Sequence, residues 1–416
     1  MQVQKSKDTI TSLWTGQPVS STHSQLLENN EKKTKFSPKG YKTTIFCEQK
    51  DHSREVWSGP VNGIEMAVNT FGADEAFPIR NFESSITGSI KNAIANGGNI
   101  YSNVELVTKN RAAYISGPYN SETTFNNCLK QLMHSGTSSS YWNIGTQIQK
   151  LRLIKSKAEQ KLIKHASSVT GFGYNAIFEK CKPGVNQDML AAAFEYYSKV
   201  GAGNKSPLVR SGYVPVFGSG DYALIMHYTQ NNLPVQQNQL LLIDAGMEYA
   251  EYMSDVSRTI PVSGRYSQSQ ADLYSTLLQV QEECIKYMYS DSDMSLNDVH
   301  MVSESLLMKG LSKLGFSGLS SKELRNILYP HHLSHYLGLN LHDTGDISRS
   351  IKLQKGMVVT VEPGVYVPYD DNFPKSFQGM GMRIEDNVIV GDTSDSIQVT
   401  TENIPKSISA IEAAMA

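Results

Sequence analysis

"SKAEQKLIKHASSVTGFGYNAIFEK", Ser156 to Lys180, is the stretch from which the rest of the chain can be organised. Ser156 followed three residues later by Glu159 is a capping-box signature, in which hydroxyl and carboxylate each satisfy an orphan N–H of a first helical turn. The helix should stop at "KPG", and a second is expected through "QDMLAAAFEYYSKV" to Gly201. The arrangement then returns. Ser267 and Gln270 repeat the signature before "ADLYSTLLQVQEECIKYMY", and "VHMVSESLLMKGLSKLG" follows as the partner helix. Each helix pair precedes strand-like runs: "YVPVFG", "ALIMHY", "LLLIDAG" and "MSDVSRTI" in the first half, "MVVTVEPGVYV" and "MRIEDNVIV" in the second. Two helices then several strands, twice, imply a duplicated α/β unit with a concave face between its halves, where pockets form most often.

This unit is expected over residues 151–402, with a C-terminal tail over 403–416. Before it, 43–135 mixes short apolar runs ("TTIFC", "NIYSNVELV", "AAYISG") with the helix-like "FESSITGSIKNAIANGG", the pattern of a smaller α/β domain that ends near His134. Residues 136–150, which take in most of "SGTSSSYWNIG" from Ser135, read as a linker, and 1–42 are too polar and aperiodic to build a core, so they are expected to be poorly ordered. A chain of 416 residues with net charge -2 and no long block of one sign implies neither nucleic acid nor an anionic membrane as partner. No apolar run approaches a membrane span. The opening residues lack both a secretory apolar core and, with Arg54 the first arginine, an Arg-rich transit pattern. Cys47, Cys128, Cys181 and Cys284 lie far apart without a C-x-x-C, which excludes a zinc ribbon and suggests free thiols in an intracellular protein.

The chemistry lies on the strands. In "LLLIDAGMEYAEYMSDVSRTIP", Asp244 follows four apolar residues, and Asp255 comes eleven residues later on a returning arm. Glu362 in "VVTVEPGVY" and Glu385 in "GMRIEDNVIV" are embedded in the same way. Four ionised carboxylates converging in an apolar core would cost several kcal/mol each unless paired or bound to metal. Arg383, on the same strand face as Glu385, can neutralise only one of them. Metal ions are the simplest answer, and oxygen donors with an imidazole or two suit Mn, Co, Zn or Fe. Four of the ten histidines fall in "HHLSHYLGLNLH", His331 to His342; His331 and His335 imitate H-E-x-x-H, but His332 stands where its glutamate belongs. The glycines of "FGSGD" lack the lysine of a phosphate-binding loop and read as a tight turn.

The ordered set D-x(10)-D, H-x-L-G-L, E-P-G and R-I-E-D resembles the metal-dependent aminopeptidase P and prolidase family, over about Arg152 to Val399. Within it, "KLRLIKSKAEQKLIKHA", "SGYVPVFGSG", "MHYTQNN" and "GMRIEDNVIV" look closest to the fungal mitochondrial intermediate-cleaving aminopeptidases. The resemblance implies the α/β (α+β) pita-bread fold and two divalent ions, manganese by preference. Their ligands would be Asp244, Asp255, His335, Glu362 and Glu385, with Asp255 and Glu385 bridging. It further implies Glu362 as proton relay, His342 beside the scissile carbonyl, His331 and His227 positioning substrate, and Arg383 and Tyr366 bracing the carboxylates. His332, His165 and His300 keep the plain reading of satisfied imidazoles.

The implied activity is removal of one N-terminal residue from polypeptides, with processed mitochondrial proteins as substrates and the mitochondrion as location. Xaa-Pro aminopeptidase or prolidase activity in the cytoplasm is the alternative. Metal-free relatives of this fold bind peptides or act as creatinases, but they have lost ligands, and here all five are kept. "TTIFCEQKDHSREVWSGPVNG" resembles the later part of the family's N-terminal domain, with "LWTGQP" as an earlier remnant. That domain often mediates oligomer contacts, which leaves a homodimer open.

Overall fold

The structure, a computed structural model, describes residues 43–95, 100–102 and 141–416. The segment 1–42 with "LWTGQP", the run "AAYISG", Cys128, His134 and the start of the expected linker lie outside the described residues. Described residues up to Ile148 form one compact unit, and Gln149–Ala416 form another.

In the first unit, β1 (Thr44–Cys47) pairs in parallel with β2 (Glu75–Pro78), Phe46 opposite Phe77. Parallel neighbours need a crossover, supplied here by α1 (His52–Ser58) and α2 (Gly63–Asn69). Asp51 caps α1, its carboxylate accepting the Ser53 N–H at 3.0 Å. The helix α3 (Phe82–Ala95) buries Phe82, Ile86 and Ile90, one i, i+4 stripe. Strands β3 (Ile100–Ser102) and β4 (Tyr141–Asn143) are also parallel. The next helix, α4 (Gly145–Leu153), runs through the end of the expected linker at residue 150, so that end is helical.

The second unit opens as the caps dictate. Ser156 and Glu159 close a complete capping box on α5 (Lys157–Lys180), and α6 (Gln187–Ala202) packs against it. Gly173 sets their approach, since a Cβ there would lie 2.4 Å from the Ser198 hydroxyl and 2.5 Å from the Phe194 ring. Boxes at Ser267–Gln270 and Ser295–Asp298 start α7 (Gln268–Ile285) and α8 (Leu296–Lys313). Helix α7 ends before the "YMY" assigned to it, because Tyr289 turns extended and bridges to Gly391.

The strands follow each pair. In the first half β5 (Val209–Ser211) joins β8 (Met247–Tyr249) and β9 (Tyr252–Met253), while β6 (Val216–Ser219), β7 (Leu240–Asp244) and β10 (Ser257–Pro261) form an antiparallel sheet with β7 central. In the second, β11 (Val358–Val361) pairs with β14 (Asp386–Ile389) and β14 with β15 (Gln398–Val399); β12 (Gly364–Tyr366) pairs with β13 (Gly381–Arg383).

Two expectations are corrected. "ALIMHY" is not a strand: a 3-10 turn spans Gly220–Leu224, and Tyr228 N–H then bonds to Ile225 C=O at 3.2 Å, so the chain folds back beside β6. Residues 403–416 are no tail. Their helix α9 (Ile408–Met415) buries Ile411 and Met415, while Arg258, fully buried, donates to the carbonyls of Ile404 and Pro405 at 3.1 and 3.0 Å. A guanidinium without solvent must find protein acceptors for its five donors, and this segment supplies two of them.

Candidate metal centre

Asp244 ends β7, Asp255 lies two residues before β10, Glu362 directly follows β11, and Glu385 lies between β13 and β14. His335 comes from the long loop between the helical turn Leu324–Leu328 and β11. Strand ends are where a carboxylate can leave an apolar face without breaking the ladder, and both halves aim theirs at one cavity. Its volume is about 450 Å³, and all five residues line it together with His227, His331, His342 and Arg383. Val214, Val216, Met226 and Leu341 supply an apolar wall.

His335 Nε2 lies 3.2 Å from Asp255 Oδ2 and 3.6 Å from Glu362 Oε1. One ligand atom each from Asp255, His335 and Glu385 lie within 4.8 Å of one another. The imidazole is oriented by its other nitrogen: Nδ1–H donates to Tyr336 C=O at 3.0 Å, which turns Nε2 to the carboxylates. The Thr360 hydroxyl accepts the His335 N–H at 3.1 Å and donates to Glu362 Oε1 at 3.2 Å.

Arg383 spends its charge on Asp244, at 2.5 Å, and not on Glu385 two residues further along the chain. It reaches Glu385 only through Ser257, whose hydroxyl accepts from Arg383 Nε at 2.8 Å and donates to Glu385 Oε2 at 2.7 Å. The remaining negative charge shows in the acidities. Burial, with Asp255 and Glu362 close by, pushes the Glu385 carboxyl well above the carboxylate range. Burial brings Glu362 up to about 7, against the pull of His335. His335 rises to about 9 although burial opposes it, because Asp255 and Glu362 hold its proton. A crowd of buried oxygen donors and one fixed imidazole that takes up positive charge fits hard or borderline divalent cations.

Tyr213 was not singled out by the sequence, yet its hydroxyl lies 2.7 Å from both Asp244 Oδ1 and Asp255 Oδ1. Asn387 likewise accepts the Asp255 N–H at 3.0 Å and the Ser254 hydroxyl at 3.0 Å. Neither makes a motif: Tyr213 sits in the loop before β6, far in sequence from the acids it serves. Partners that orient metal-binding groups are typically worth about 10–100-fold in metal affinity or activity. Tyr213→Phe is accordingly expected to weaken metal binding by about 10-fold or more in a competitive chelator titration, with the fold intact by circular dichroism.

The histidines separate by geometry. His342 stands over His335, ring centroids 4.6 Å apart and nearly perpendicular. His331 is locked: Arg383 donates to the Tyr366 hydroxyl at 2.7 Å, so the Tyr366 proton goes to His331 Nε2 at 3.1 Å, and His331 Nδ1–H donates to His332 C=O at 3.1 Å. Gly364 allows this contact, since a Cβ there would lie 2.7 Å from His331 Nε2. Tyr366 is therefore more than strand packing. With both nitrogens committed, and burial and Arg383 bringing its pKa down to about 3, His331 offers shape to the cavity and not a mobile proton. His227 lines the wall facing these groups.

His332 and His300 stack at 4.4 Å, His332 Nε2 meeting Asn297 Oδ1 at 3.1 Å and His300 Nδ1 accepting the Leu333 N–H at 3.2 Å. His165 packs on Tyr249. His332 and His300 are satisfied imidazoles, although His332 also reaches the cavity edge.

The model of metallopeptidase family M24 matches residues 161–392, which hold all the residues of this centre. The chain belongs to that family. The aminopeptidase P N-terminal domain matches residues 25–96 of the same M24 chain, beginning inside the segment set aside as coreless. Intermediate cleaving peptidase 55 of Schizosaccharomyces pombe is 35% identical over 90% of this chain and 72% of its own. Xaa-Pro aminopeptidase 3 of Rattus norvegicus is 32% identical over 89% and 70%. The crystal structure of Icp55 from Saccharomyces cerevisiae superposes with a TM-score of 0.74 at 28% identity, covering 89% of this chain and 80% of that one. The M24 chain thus has the pita-bread fold behind an aminopeptidase P N-terminal domain, and it is a metal-dependent peptidase. No helix among the described residues is long and apolar enough to cross a membrane.

Proposed function

We propose that this M24 peptidase releases a single N-terminal residue from polypeptides, acting in mitochondria on chains already trimmed by a processing protease. Two divalent ions, manganese first among them, would be held by Asp244, Asp255, His335, Glu362 and Glu385. The observation that carries the reading is the convergence of these five donors, with His342 and His331, on one cavity with an apolar wall. Bound there, such ions supply Lewis acidity and lower the pKa of a water so that it can attack a carbonyl near neutral pH.

The chain's own residues do the rest. Glu362, with the Thr360 hydroxyl donating to its Oε1 and His335 beside it, can take a proton from the attacking water and return it to the leaving amine. His342, exposed at the cavity beside His335, directs an N–H at the oxygen that becomes negative. His331 and His227 shape the space for the residues flanking the bond, and Val214, Val216, Met226 and Leu341 keep water from its apolar side.

A peptide library varied at its first two positions, with the released amino acid identified, tests the specificity. Release from peptides lacking proline at the second position is expected. Cleavage confined to Xaa-Pro peptides would favour the second reading, which the likeness to Xaa-Pro aminopeptidase 3 keeps in view. Purified protein that retains no more than trace divalent metal after reconstitution with Mn would sink the metal assignment.

A further inference from the structure

The turn that carries His342 is held from behind by buried charges that the catalytic reading leaves unused. Asp343 N–H bonds to Tyr336 C=O at 2.9 Å, and this closure returns the chain so that the His342 ring meets that of His335. The Asp343 carboxylate is buried, with Lys155 Nζ 2.9 Å from Oδ2 and the Arg152 guanidinium on Oδ1. Lys155 and Asp343 are each 3% exposed. Arg152 also donates to Asn340 Oδ1, so a single guanidinium spans both sides of the turn.

Both cations stand on firm ground. Arg152 is in α4, and Lys155 precedes the cap of α5, its N–H on Gly356 C=O at 2.9 Å and its C=O receiving Gln160 Nε2 at 2.8 Å. The pair also lies directly against the turn's backbone: a Cβ on Gly338 would be 2.5 Å from Asp343 Oδ2 and 2.8 Å from Lys155 Cε. A buried lysine cannot let its carboxylate move without stranding a charge, so the turn has one low-energy position. An apolar pair would stabilise the same contact without that directional constraint.

From this geometry we infer that Arg152, Lys155 and Asp343 are positioning residues that hold His342 in register with His335 and with the reacting carbonyl. The inference rests on the reading of His342 given above. It assigns to the Arg152–Lys155–Asp343 cluster a role in turnover beyond fold stability.

The test uses the full-length, metal-loaded chain and a fluorogenic peptide, at a temperature where circular dichroism shows every variant folded. Asp343→Asn is expected to lower kcat by about 10- to 100-fold with KM changed less than about 3-fold, and with bound metal unchanged. In a His342→Ala background the same substitution should cost less than about 2-fold, because the group it positions is already gone. The pair Lys155→Met with Asp343→Leu should regain the melting temperature but not kcat. Recovery of kcat along with stability in that pair, multiplication of the Asp343 and His342 losses, or loss of bound metal in Asp343→Asn would each overturn the inference. An unchanged kcat in His342→Ala alone would instead overturn the reading of His342, and this inference with it.

Discussion

Asp255→Asn is expected to abolish measurable turnover, a fall of at least about 10³-fold in kcat, since several kcal/mol of charge stabilisation are at stake and each decade is 1.36 kcal/mol. Asparagine keeps the size of the side chain and leaves the backbone N–H on Asn387, but it removes the charge that faces His335 Nε2 at 3.2 Å and leaves one acceptor oxygen where His335 and Tyr213 now meet two. Of the four carboxylates that line the cavity, Asp255 is the one held below its ordinary range despite burial, because His335 first and then Tyr213 stabilise its ionised form. His332→Ala, which removes a satisfied imidazole at the cavity edge, should retain most activity. Steady-state rates and bound-metal ratios measured side by side decide the matter, and equal losses in the two variants would mean that the residues are misassigned.

Asp386→Ala should cost about 3–5 kcal/mol of stability, the range for removing one partner of a buried ion pair. In melting temperature that is about 10 °C, at roughly 2–4 °C per kcal/mol for a domain of this size. Arg258 has no exposed surface, and Asp386, also fully buried, is its carboxylate partner at 2.8 Å, shared with Lys406 at 2.7 Å. Arg258 also donates to Glu385 C=O at 2.6 Å and Ser257 C=O at 3.0 Å, so the loss should loosen the strand ends that bear the centre.

Burial alone would raise the Asp386 pKa, but Arg258 and Lys406 hold it well below the usual carboxylate range. A folded pKa below the unfolded one stabilises fully above the unfolded value, near pH 4, and that stability is lost as pH falls. The wild-type protein should therefore lose stability on acidification more steeply than Asp386→Ala, as thermal melts across pH 2–6 would show.

The comparison of sequence with structure turns on distance along the chain. Helix starts were legible because a capping box is local: serine and its partner three residues on both appear in one turn, as at Ser156 and Ser267. The four acids were legible because a carboxylate at the end of a β-branched run is costly unless used. "ALIMHY" misled for the converse reason, since its short apolar run suits a strand while the close approach of Gly218 to Tyr222 C=O, invisible in the pattern, folds it into a turn. The C-terminal fourteen residues read as a tail in the sequence, which does not show that the buried Arg258 uses two of their carbonyls.

By itself, then, the sequence determined the duplicated helix–strand order and the carboxylate-rich character of the centre, because caps, turns and burial of apolar runs are short-range demands. Only the tertiary structure decided which groups share a charge. Arg383 pairs with Asp244 across 139 residues and not with Glu385 beside it, Tyr213 serves two aspartates, and Lys155 reaches 188 residues to Asp343. Electrostatic partnership depends on separation in space and on exclusion of water, and neither is set until the two halves have packed around a common cavity.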